Sequence, residues 1–338
     1  MQYTTYPDVQ AAYLDQLRLT LEKPEYVNAP RGQRSRERLG VCFRINDPVQ
    51  RHVPLPSRRT NIVFCFAEAL WYLSGRRDLA FIQYYAPSIG RYSKDGVNLD
   101  GTAYGPRIFA YGPAQLNQWE TVLETLAGDR DSKRAAIAIF DPNELRIPDN
   151  IDVACTLGLQ FFIRDDALHA IGYMRANDAF RGIVSDIFSF TFIQEVFATQ
   201  LGLRVGSYTH SVGSFHLYDQ DEKWAREVLT GPAAVLPQAG ARFPRMPGTD
   251  NWPHIRQVLE WEQRLRTGTD QLTFDLMLNV PVPDYWRQVL AMFQLHRTIR
   301  SGKPDDFELY QYLLPVYRGI VANRWPEVLV SPHCQTRA

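Results

Sequence analysis

The segment Arg175-Ala-Asn-Asp-Ala-Phe-Arg-Gly-Ile-Val-Ser-Asp186 lies at the centre of the stretch that decides the fold of this chain. Cys155 precedes it, and His216-Leu-Tyr218 follows it. This stretch therefore holds a thiol, a guanidinium, two carboxylates and a His/Tyr pair, set among strongly apolar runs. These groups could together attack, bind and discriminate a polar ligand, although none of them alone is conclusive.

The apolar runs in and around this stretch predict strands and helices in alternation. Residues 159–163 and 167–174 are typical of two strands joined by a turn at Arg164-Asp-Asp166. We also expect helices at 9–21, 61–73, 187–201, 283–300 and 305–321, and strands at 40–45, 135–140 and 208–218. Residues 29–38, 81–105 and 231–253 are expected to be loops. Strands interspersed with helices predict an α/β fold with a mixed sheet.

Composition excludes several classes of protein. The 338 residues contain 37 Lys plus Arg and 37 Asp plus Glu, and this balance argues against a nucleic-acid-binding protein. We find no signal peptide and no apolar run long enough to span a membrane. The four cysteines, Cys42, Cys65, Cys155 and Cys334, form no CxxC pair, so we expect no metal site and no disulfide framework. Such cysteine usage fits a cytoplasmic protein.

Three groups around the first strands are candidates for chemistry. Cys155 stands just before a predicted strand, where a cysteine is more often a small buried apolar residue than a nucleophile. Arg175 directly follows an apolar strand and is either paired with Asp178 or free to bind a phosphate. Lys133-Arg134 flank another strand as a solvated end or as a second anion site.

Two acids and a His/Tyr pair complete the candidates. Glu68 lies inside an apolar helix, where burial raises a carboxyl pKa, unless an arginine pairs with it. Asp186 stands at the predicted start of a helix and is either a cap or a functional acid. His216 and Tyr218 alternate along a strand and therefore face the same side, as core or as site residues.

The order of these groups over residues 30–220 resembles that of the thymidylate synthase family, in its pyrimidine hydroxymethylase branch. The matching motifs are Glu68-Ala-Leu-Trp-Tyr72, Gly101-Thr-Ala-Tyr-Gly105, Asp131-Ser-Lys-Arg134, Ala154-Cys155, Arg175-Ala-Asn-Asp178, Gly182, Asp186 and Gly213-Ser-Phe-His-Leu-Tyr218. The resemblance implies one catalytic domain over residues 1–338, with 221–338 divergent, in a homodimer that stacks its sheets back to back.

The resemblance also implies a role for each matching residue. Cys155 is the expected nucleophile, and Glu68 and Tyr104 are expected to manage proton transfers. Arg175 is expected to bind the nucleotide phosphate beside Ala176, with Lys133 and Arg134 reaching it from the partner subunit. Arg34 of the basic loop is expected to join them, with Arg31 and Arg36 as alternatives. The sugar hydroxyl is expected at His216 and Tyr218, and the pterin of a folate at Asp178 and Gly182.

The chemistry implied is one-carbon transfer to a pyrimidine. Addition of the Cys155 thiolate to C6 makes C5 nucleophilic, and the arginines nearby are expected to favour the thiolate. C5 then takes the one-carbon unit of the co-substrate 5,10-methylenetetrahydrofolate. Hydride addition to the resulting exocyclic methylene gives a methyl group, whereas water gives a hydroxymethyl group.

Departures from the family pattern predict the substrate. Asp186 replaces an asparagine that matches uracil, and a carboxyl group at this place matches cytosine better. Ala176 and Lys133 replace a serine and an arginine, which loosens the sugar and phosphate site and favours CMP over dCMP. The segment Ile89-Gly-Arg-Tyr-Ser-Lys94 replaces tryptophans and favours entry of water. No apolar closing tail is evident in residues 331–338.

The sequence therefore predicts a folate-dependent CMP 5-hydroxymethylase, similar to those of nucleoside-antibiotic pathways such as mildiomycin biosynthesis. Three alternatives stay open: a dCMP hydroxymethylase, a methylating synthase, and a non-catalytic nucleotide-binding module.

Overall fold

The computed structural model describes residues 4–231, 242–302 and 307–329. Its strands are β1 (Thr4–Tyr6), β2 (Tyr26–Asn28), β3 (Ser35–Ile45), β4 (Ala136–Ala138), β5 (Thr156–Arg164), β6 (Ala167–Asp178) and β7 (Arg204–Tyr218). Its helices are α1 (Val9–Glu22), α2 (Ile62–Leu73), α3 (Leu79–Tyr85), α4 (Tyr104–Phe109), α5 (Gln118–Gly128), α6 (Gly182–Gln200), α7 (Glu222–Thr230), α8 (Trp252–Thr267), α9 (Phe274–Leu278), α10 (Asp284–Arg300), α11 (Phe307–Tyr312) and α12 (Pro315–Arg324).

All of these strands belong to one mixed sheet, which confirms the predicted fold class. The order is β1-β3-β7-β6-β5-β4, with β2 paired to β3. β6 and β7 are parallel and are connected through α6, whereas β3 and β5 run antiparallel to their central neighbours. In the β6–β7 register Asp178 lies opposite His216, so the ends of these two strands bring distant parts of the sequence together.

The predicted hairpin between β5 and β6 is confirmed. Its turn residues Asp165 and Asp166 have φ angles of 51° and 53°. Tight two-residue hairpin loops need this left-handed conformation, which aspartate adopts more readily than most residues. The turn fixes the register of the hairpin as far as the pair Gly158 and Tyr173. A shift in register between Gly158 and Thr156 then places Thr156 opposite Met174 and sets Cys155 beside Arg175.

Helix α6 is mostly apolar because most of its residues are buried. It packs against α2 and against β6 and β7, and Phe190 and Phe197 are only 1% and 0% exposed. α10 adds Trp286 to the same core, which extends from Tyr6 to Val328. The described residues after 221 thus contribute to the core of the sheet, while the prediction of one catalytic domain stays a prediction.

Several predicted boundaries are wrong. The expected loop over 29–38 contains the start of β3, and 81–105 contains most of α3, a short 3-10 turn and the first residues of α4. Residues 242–251 do not lie on the surface throughout, since Phe243 and Met246 are buried in the core; residues 232–241 lie outside the described residues. The helix expected over 305–321 is two helices, and α12 begins at Pro315, whose ring cannot continue α11.

Candidate active site

A cavity of about 820 Å³ opens at the carboxyl ends of β6 and β7, beside the first turn of α6. This volume is in the usual range for small-molecule sites. The predicted site residues that line it are Glu68, Tyr104, Cys155, Arg175, Ala176, Asp178, Gly182, Asp186, His216 and Tyr218. The structure therefore brings together side chains from α2, α4, both central strands and α6.

Cys155 is exposed to this cavity and immediately precedes β5. The Arg175 guanidinium lies beside it, with 3.7 Å between Nη2 and the Cys155 Sγ. Burial raises the pKa of the Cys155 thiol, whereas Arg175 and Arg31 lower it. The arginines therefore favour the thiolate, as predicted, but desolvation outweighs them, so the net pKa of the thiol is raised.

Arg175 is held by the backbone of the segment that carries Cys155. Its Nε donates to the Ala154 carbonyl at 2.8 Å, and its Nη2 donates to the Val153 carbonyl at 2.9 Å. Among the described residues Arg175 forms no ion pair with Asp178, which was the alternative interpretation of this arginine. Its guanidinium is thus oriented into the cavity without a neutralising partner.

Asp152 ties the segment before α4 to the Cys155 segment. One carboxylate oxygen accepts from the backbone N–H of Asp100 at 2.7 Å and of Gly101 at 3.0 Å, and the other accepts from Thr102 N at 2.7 Å. A Cβ on Gly101 would lie 2.0 Å from the Asp152 carbonyl oxygen, so only glycine fits. This contact explains the Gly101 motif, which sets the start of α4 at Tyr104.

Tyr104 reaches the cavity from the start of α4. Its hydroxyl accepts from Thr156 Oγ1 at 3.1 Å, and its ring stacks on Tyr72 with 4.7 Å between centroids. Burial, with the nearby Cys155 and Asp186, raises the pKa of Tyr104 well above its ordinary value. Tyr104 therefore carries its proton at neutral pH and faces the same space as the thiol.

Glu68 lies in the middle of α2 and is buried, as predicted. Its pKa is raised to about 8, mainly by desolvation and further by the charge of Asp186. The Ser189 hydroxyl donates to its Oε2 at 3.1 Å, and no arginine pairs with it among the described residues. A carboxyl group in this state holds a proton at neutral pH and can release it.

Asp186 lies in the second turn of α6, because the helix begins at Gly182. The capping alternative for Asp186 is therefore wrong. Burial raises its pKa to about 7, with a further contribution from the charge of Asp178. The side-chain amide of Asn177 donates to its Oδ2 at 2.6 Å. A carboxyl group facing the cavity is thus held close to half-protonation at neutral pH.

Asp178, His216 and Tyr218 line the cavity near the ends of β6 and β7. The Asp178 Oδ1 accepts from the backbone N–H groups of Phe180 and Arg181 at 2.8 and 2.9 Å. Burial nevertheless raises its pKa. The rings of His216 and Tyr218 lie on one face of β7 with 4.9 Å between centroids, as alternation predicts.

The structure does not place Arg34 at the cavity, where the sequence analysis expected it. Arg34 is 70% exposed, and its Nε lies 3.4 Å from the Asp219 Oδ2. Arg36 pairs with Asp219 and Glu222. Of the three candidates, it is Arg31 that lines the cavity and lowers the Cys155 pKa. The choice of Arg34 over Arg31 therefore has no support in the geometry.

Lys133 and Arg134 lie outside this cavity, exposed on the segment before β4. Their expected action across a subunit interface stays a prediction. The segment predicted to admit water does contact the cavity, through Arg91 and Tyr92, whose side chains are hydrogen-bonded to each other at 2.8 Å.

Sequence reasoning missed Asn177, which contacts Asp186, and also His210 and Tyr208, which are linked to Asp186 through Asn177. The alternation of residues along β7 could have indicated Tyr208 and His210. Residues 208, 210, 216 and 218 have the same parity, so Tyr208 and His210 lie on the face that His216 and Tyr218 define. Asn177 was part of a quoted motif, but its amide group was given no role.

Comparison with known proteins identifies what the chain is similar to. The family model described as "Thymidylate synthase" matches residues 11–246. Deoxyuridylate hydroxymethyltransferase of Bacillus phage SP01 is 34% identical over 225 residues, which cover 62% of this chain and 57% of the relative. The protein of the same name from Delftia phage PhiW-14 is 32% identical over 212 residues, covering 59% and 58%. The chain thus spans less than three fifths of these curated relatives.

Proposed function

This chain belongs to the thymidylate synthase family, and we propose that it transfers a hydroxymethyl group to C5 of CMP, using 5,10-methylenetetrahydrofolate and water. The observation that carries this proposal is the half-buried carboxyl group of Asp186, which lies in the same cavity as the Cys155 thiol. The names of the phage relatives support hydroxymethyl transfer, whereas the choice of CMP rests on Asp186 and Ala176.

Cys155 and its neighbours would form the covalent bond to the pyrimidine. Attack of sulfur on C6 requires loss of the thiol proton, because burial keeps the pKa of Cys155 high. Arg175 lies close enough to stabilise the thiolate as it develops. Its remaining N–H groups are available to a phosphate, and guanidinium geometry suits this anion. Arg175 would thus both bind the nucleotide phosphate and favour attack of the Cys155 sulfur on C6.

Glu68 and Tyr104 would handle protons at the pyrimidine. Both hold a proton at neutral pH and both line the cavity. A protonated Glu68 can donate to the ring as negative charge develops there, and its conjugate base can take a proton back. Ser189 holds one of its oxygens, which orients the carboxyl group during that exchange.

Asp186 would read the base. A neutral carboxyl group offers one donor and one acceptor, which match N3 and the exocyclic amine of cytosine. Uracil presents a donor at N3–H and an acceptor at O4, so its donor and acceptor are exchanged relative to those of cytosine. A closed site that leaves such groups unpaired discriminates strongly between the two bases.

Ala176 and Lys133 would allow a ribose. Ala176 lines the cavity with a methyl group where a serine hydroxyl would take more space.

We further propose a homodimer in which Lys133 and Arg134 reach the partner's phosphate. Leu39 on β3 and Leu157 on β5 are 49% and 44% exposed, and a subunit interface would bury such apolar side chains.

The folate would supply the one-carbon unit, and the cavity has residues that fit it. Asp178 is a half-buried carboxyl group that can accept from ring N–H groups, and Gly182 leaves space at the start of α6. Arg91 and Tyr92 make the adjacent wall polar. A polar wall lets water reach the substrate, which favours a hydroxymethyl product over a methyl product.

A second candidate is hydroxymethylation of dUMP, which the names of both phage relatives favour. Mass spectrometry of CMP, dCMP, UMP and dUMP after incubation with methylenetetrahydrofolate would report base, sugar and added group together. We expect a hydroxymethyl product from CMP. A product from dUMP alone would replace the proposal by the second candidate, and a methyl product would refute both.

Asp186→Asn tests how the base is read. We expect the ratio of kcat/KM for cytosine to that for uracil nucleotides to fall by about tenfold or more, the effect of about 1.4 kcal/mol. An unchanged ratio in the folded variant would contradict the role of Asp186.

A further inference from the structure

A chain of buried polar side chains ends at Asp186. The Tyr208 hydroxyl lies 2.9 Å from the His210 Nδ1, and the His210 Nε2 lies 2.9 Å from the Asn177 Oδ1. The Asn177 Nδ2 donates to the Asp186 Oδ2 at 2.6 Å. Tyr208 and His210 are 0% exposed and Asn177 is 4% exposed. The mechanism above uses none of these three residues.

In this hydrogen-bonded network each side chain donates to the next one, from Tyr208 towards Asp186. Burial lowers the pKa of His210 to about 3, so its ring is neutral and carries one N–H. The tyrosine hydroxyl is buried, and His210 is its hydrogen-bond partner in the described part of the chain. An O–H that donates to Nδ1 is satisfied, whereas one that only accepts would leave a buried donor unpaired.

This choice fixes the other two bonds. With Nδ1 accepting, the proton of His210 is on Nε2 and is donated to the Asn177 carbonyl oxygen. The amide nitrogen of Asn177 then points to Asp186 and can only donate. The Asp186 Oδ2 is therefore an acceptor, and the carboxyl proton belongs on Oδ1.

Two glycines leave the space that this chain of bonds requires. A Cβ on Gly172 of β6 would lie 2.3 Å from the Tyr208 hydroxyl oxygen. A Cβ on Gly182 would lie 3.1 Å from the Asn177 Nδ2 and 3.2 Å from the Asp186 Oδ2. The surrounding backbone thus accommodates the network at both of its ends.

We propose that Asn177, oriented by His210 and Tyr208, is a positioning residue that decides which oxygen of Asp186 accepts and which one donates to the base. The part of this inference that concerns the base rests on the proposed function. The part that concerns the carboxyl group does not, because it follows from the unliganded protein. Asn177 itself lines the cavity, and its effect on base specificity would act through its hydrogen bond to Asp186.

Other ionisable groups interact electrostatically with Asp186 and must stay unchanged in any test. They come from α2, the segment before β5, α4, β6 and β7: Cys65, Glu68, Tyr72, Cys155, Tyr104, Asp178 and Tyr208. Of the contacts that shift the Asp186 pKa, the bond from Asn177 is the one that lowers it. Removal of this bond should therefore raise the Asp186 pKa.

The first experiment follows the Asp186 carboxyl carbon by ¹³C NMR in the unliganded protein, with Asp186→Asn to assign the signal. We expect Asn177→Ala to raise the Asp186 pKa by about one pH unit. His210→Leu should raise it too, because Asn177 loses its orienting donor. His210→Gln should preserve it, since an amide can accept from Tyr208 and donate to Asn177. An Asp186 pKa that is the same in all of these proteins would overturn the inference.

The second experiment compares kcat/KM for CMP and UMP in the same variants. We expect the CMP-to-UMP ratio to fall about tenfold in Asn177→Ala and His210→Leu, and to be retained in His210→Gln. Asn251→Ala is the control, since Asn251 is equally buried and donates its amide to Thr199, Pro247 and Thr249 outside the cavity. It should lose stability and keep the ratio.

The outcomes separate the two proposals. If no nucleotide is converted but the Asp186 pKa responds, the proposed function fails and the network stands. If CMP is converted but neither the pKa nor the ratio changes, the positioning role fails alone. Should Asn177→Ala not fold, the His210→Leu and His210→Gln pair decides.

Discussion

Replacement of Glu68 by glutamine should make the protein more stable at alkaline pH while it slows the reaction. Glu68 has an ordinary pKa of 4.5 when unfolded and about 8 when folded, because it is buried. A raised pKa in the folded state gives stability that is complete below pH 4.5 and is lost as the pH rises through 8. Between about pH 5 and about pH 8 the wild type should lose about 3.5 kcal/mol through this group.

Glu68→Gln keeps the shape of the side chain and can still accept from Ser189, but it has no proton to lose. Urea unfolding, followed by tryptophan fluorescence over this pH range, should show the variant gaining on the wild type by up to about 1.4 kcal/mol per pH unit. Glu124→Gln, on the exposed face of α5, controls for the loss of one negative charge. Parallel stability curves for wild type and Glu68→Gln would refute the buried-acid argument. If Glu68 also transfers protons, kcat should fall by about 10²-fold or more in the same variant.

Cys155→Ser should abolish tritium release from [5-³H]CMP yet bind CMP, because Arg175 is held by the Val153 and Ala154 carbonyls rather than by sulfur. Loss of binding would mean that the thiol also has a structural role. Arg31→Gln should weaken CMP binding about tenfold by calorimetry, and Arg34→Gln less than about twofold; equal losses would contradict the placement of Arg31. Ala176→Ser should lower the CMP-to-dCMP ratio of kcat/KM, and an unchanged ratio would exclude Ala176 from sugar selection.

The sequence predicts elements well where local chemistry determines them. The Asp165-Asp166 turn and the apolar runs on each side specify the β5–β6 hairpin without help from the rest of the fold. Asn61 caps α2 through its own side chain, which accepts from Phe64 N, so the start of this helix is a local property. The mixed sheet follows from the alternation of such elements.

Other elements depend on contacts that are distant in sequence. Arg34 and Arg31 look equivalent in a basic stretch, and they are distinguished by Asp219, which pairs with Arg34 from the far end of β7. Phe243 lies in a proline-rich segment, and its burial depends on Phe66 of α2, whose ring stacks on it. No local pattern contains these partners, so sequence reasoning about the surface and the basic loop was bound to fail there.

The site combines groups whose protonation states depend on one another. Glu68 and Asp186 lie in one cavity, and the charge of Asp186 raises the pKa of Glu68, so both carboxylates cannot readily be ionised together at neutral pH. The sequence could predict that Glu68 is buried, but not that Asp186 would be its electrostatic neighbour. Because Asn177 stabilises the ionised form of Asp186, it also affects how readily Glu68 keeps its proton. If Asp186 reads the base and Glu68 moves protons, as proposed, the two roles are coupled, and the same substitutions should change both base specificity and the pH dependence of turnover.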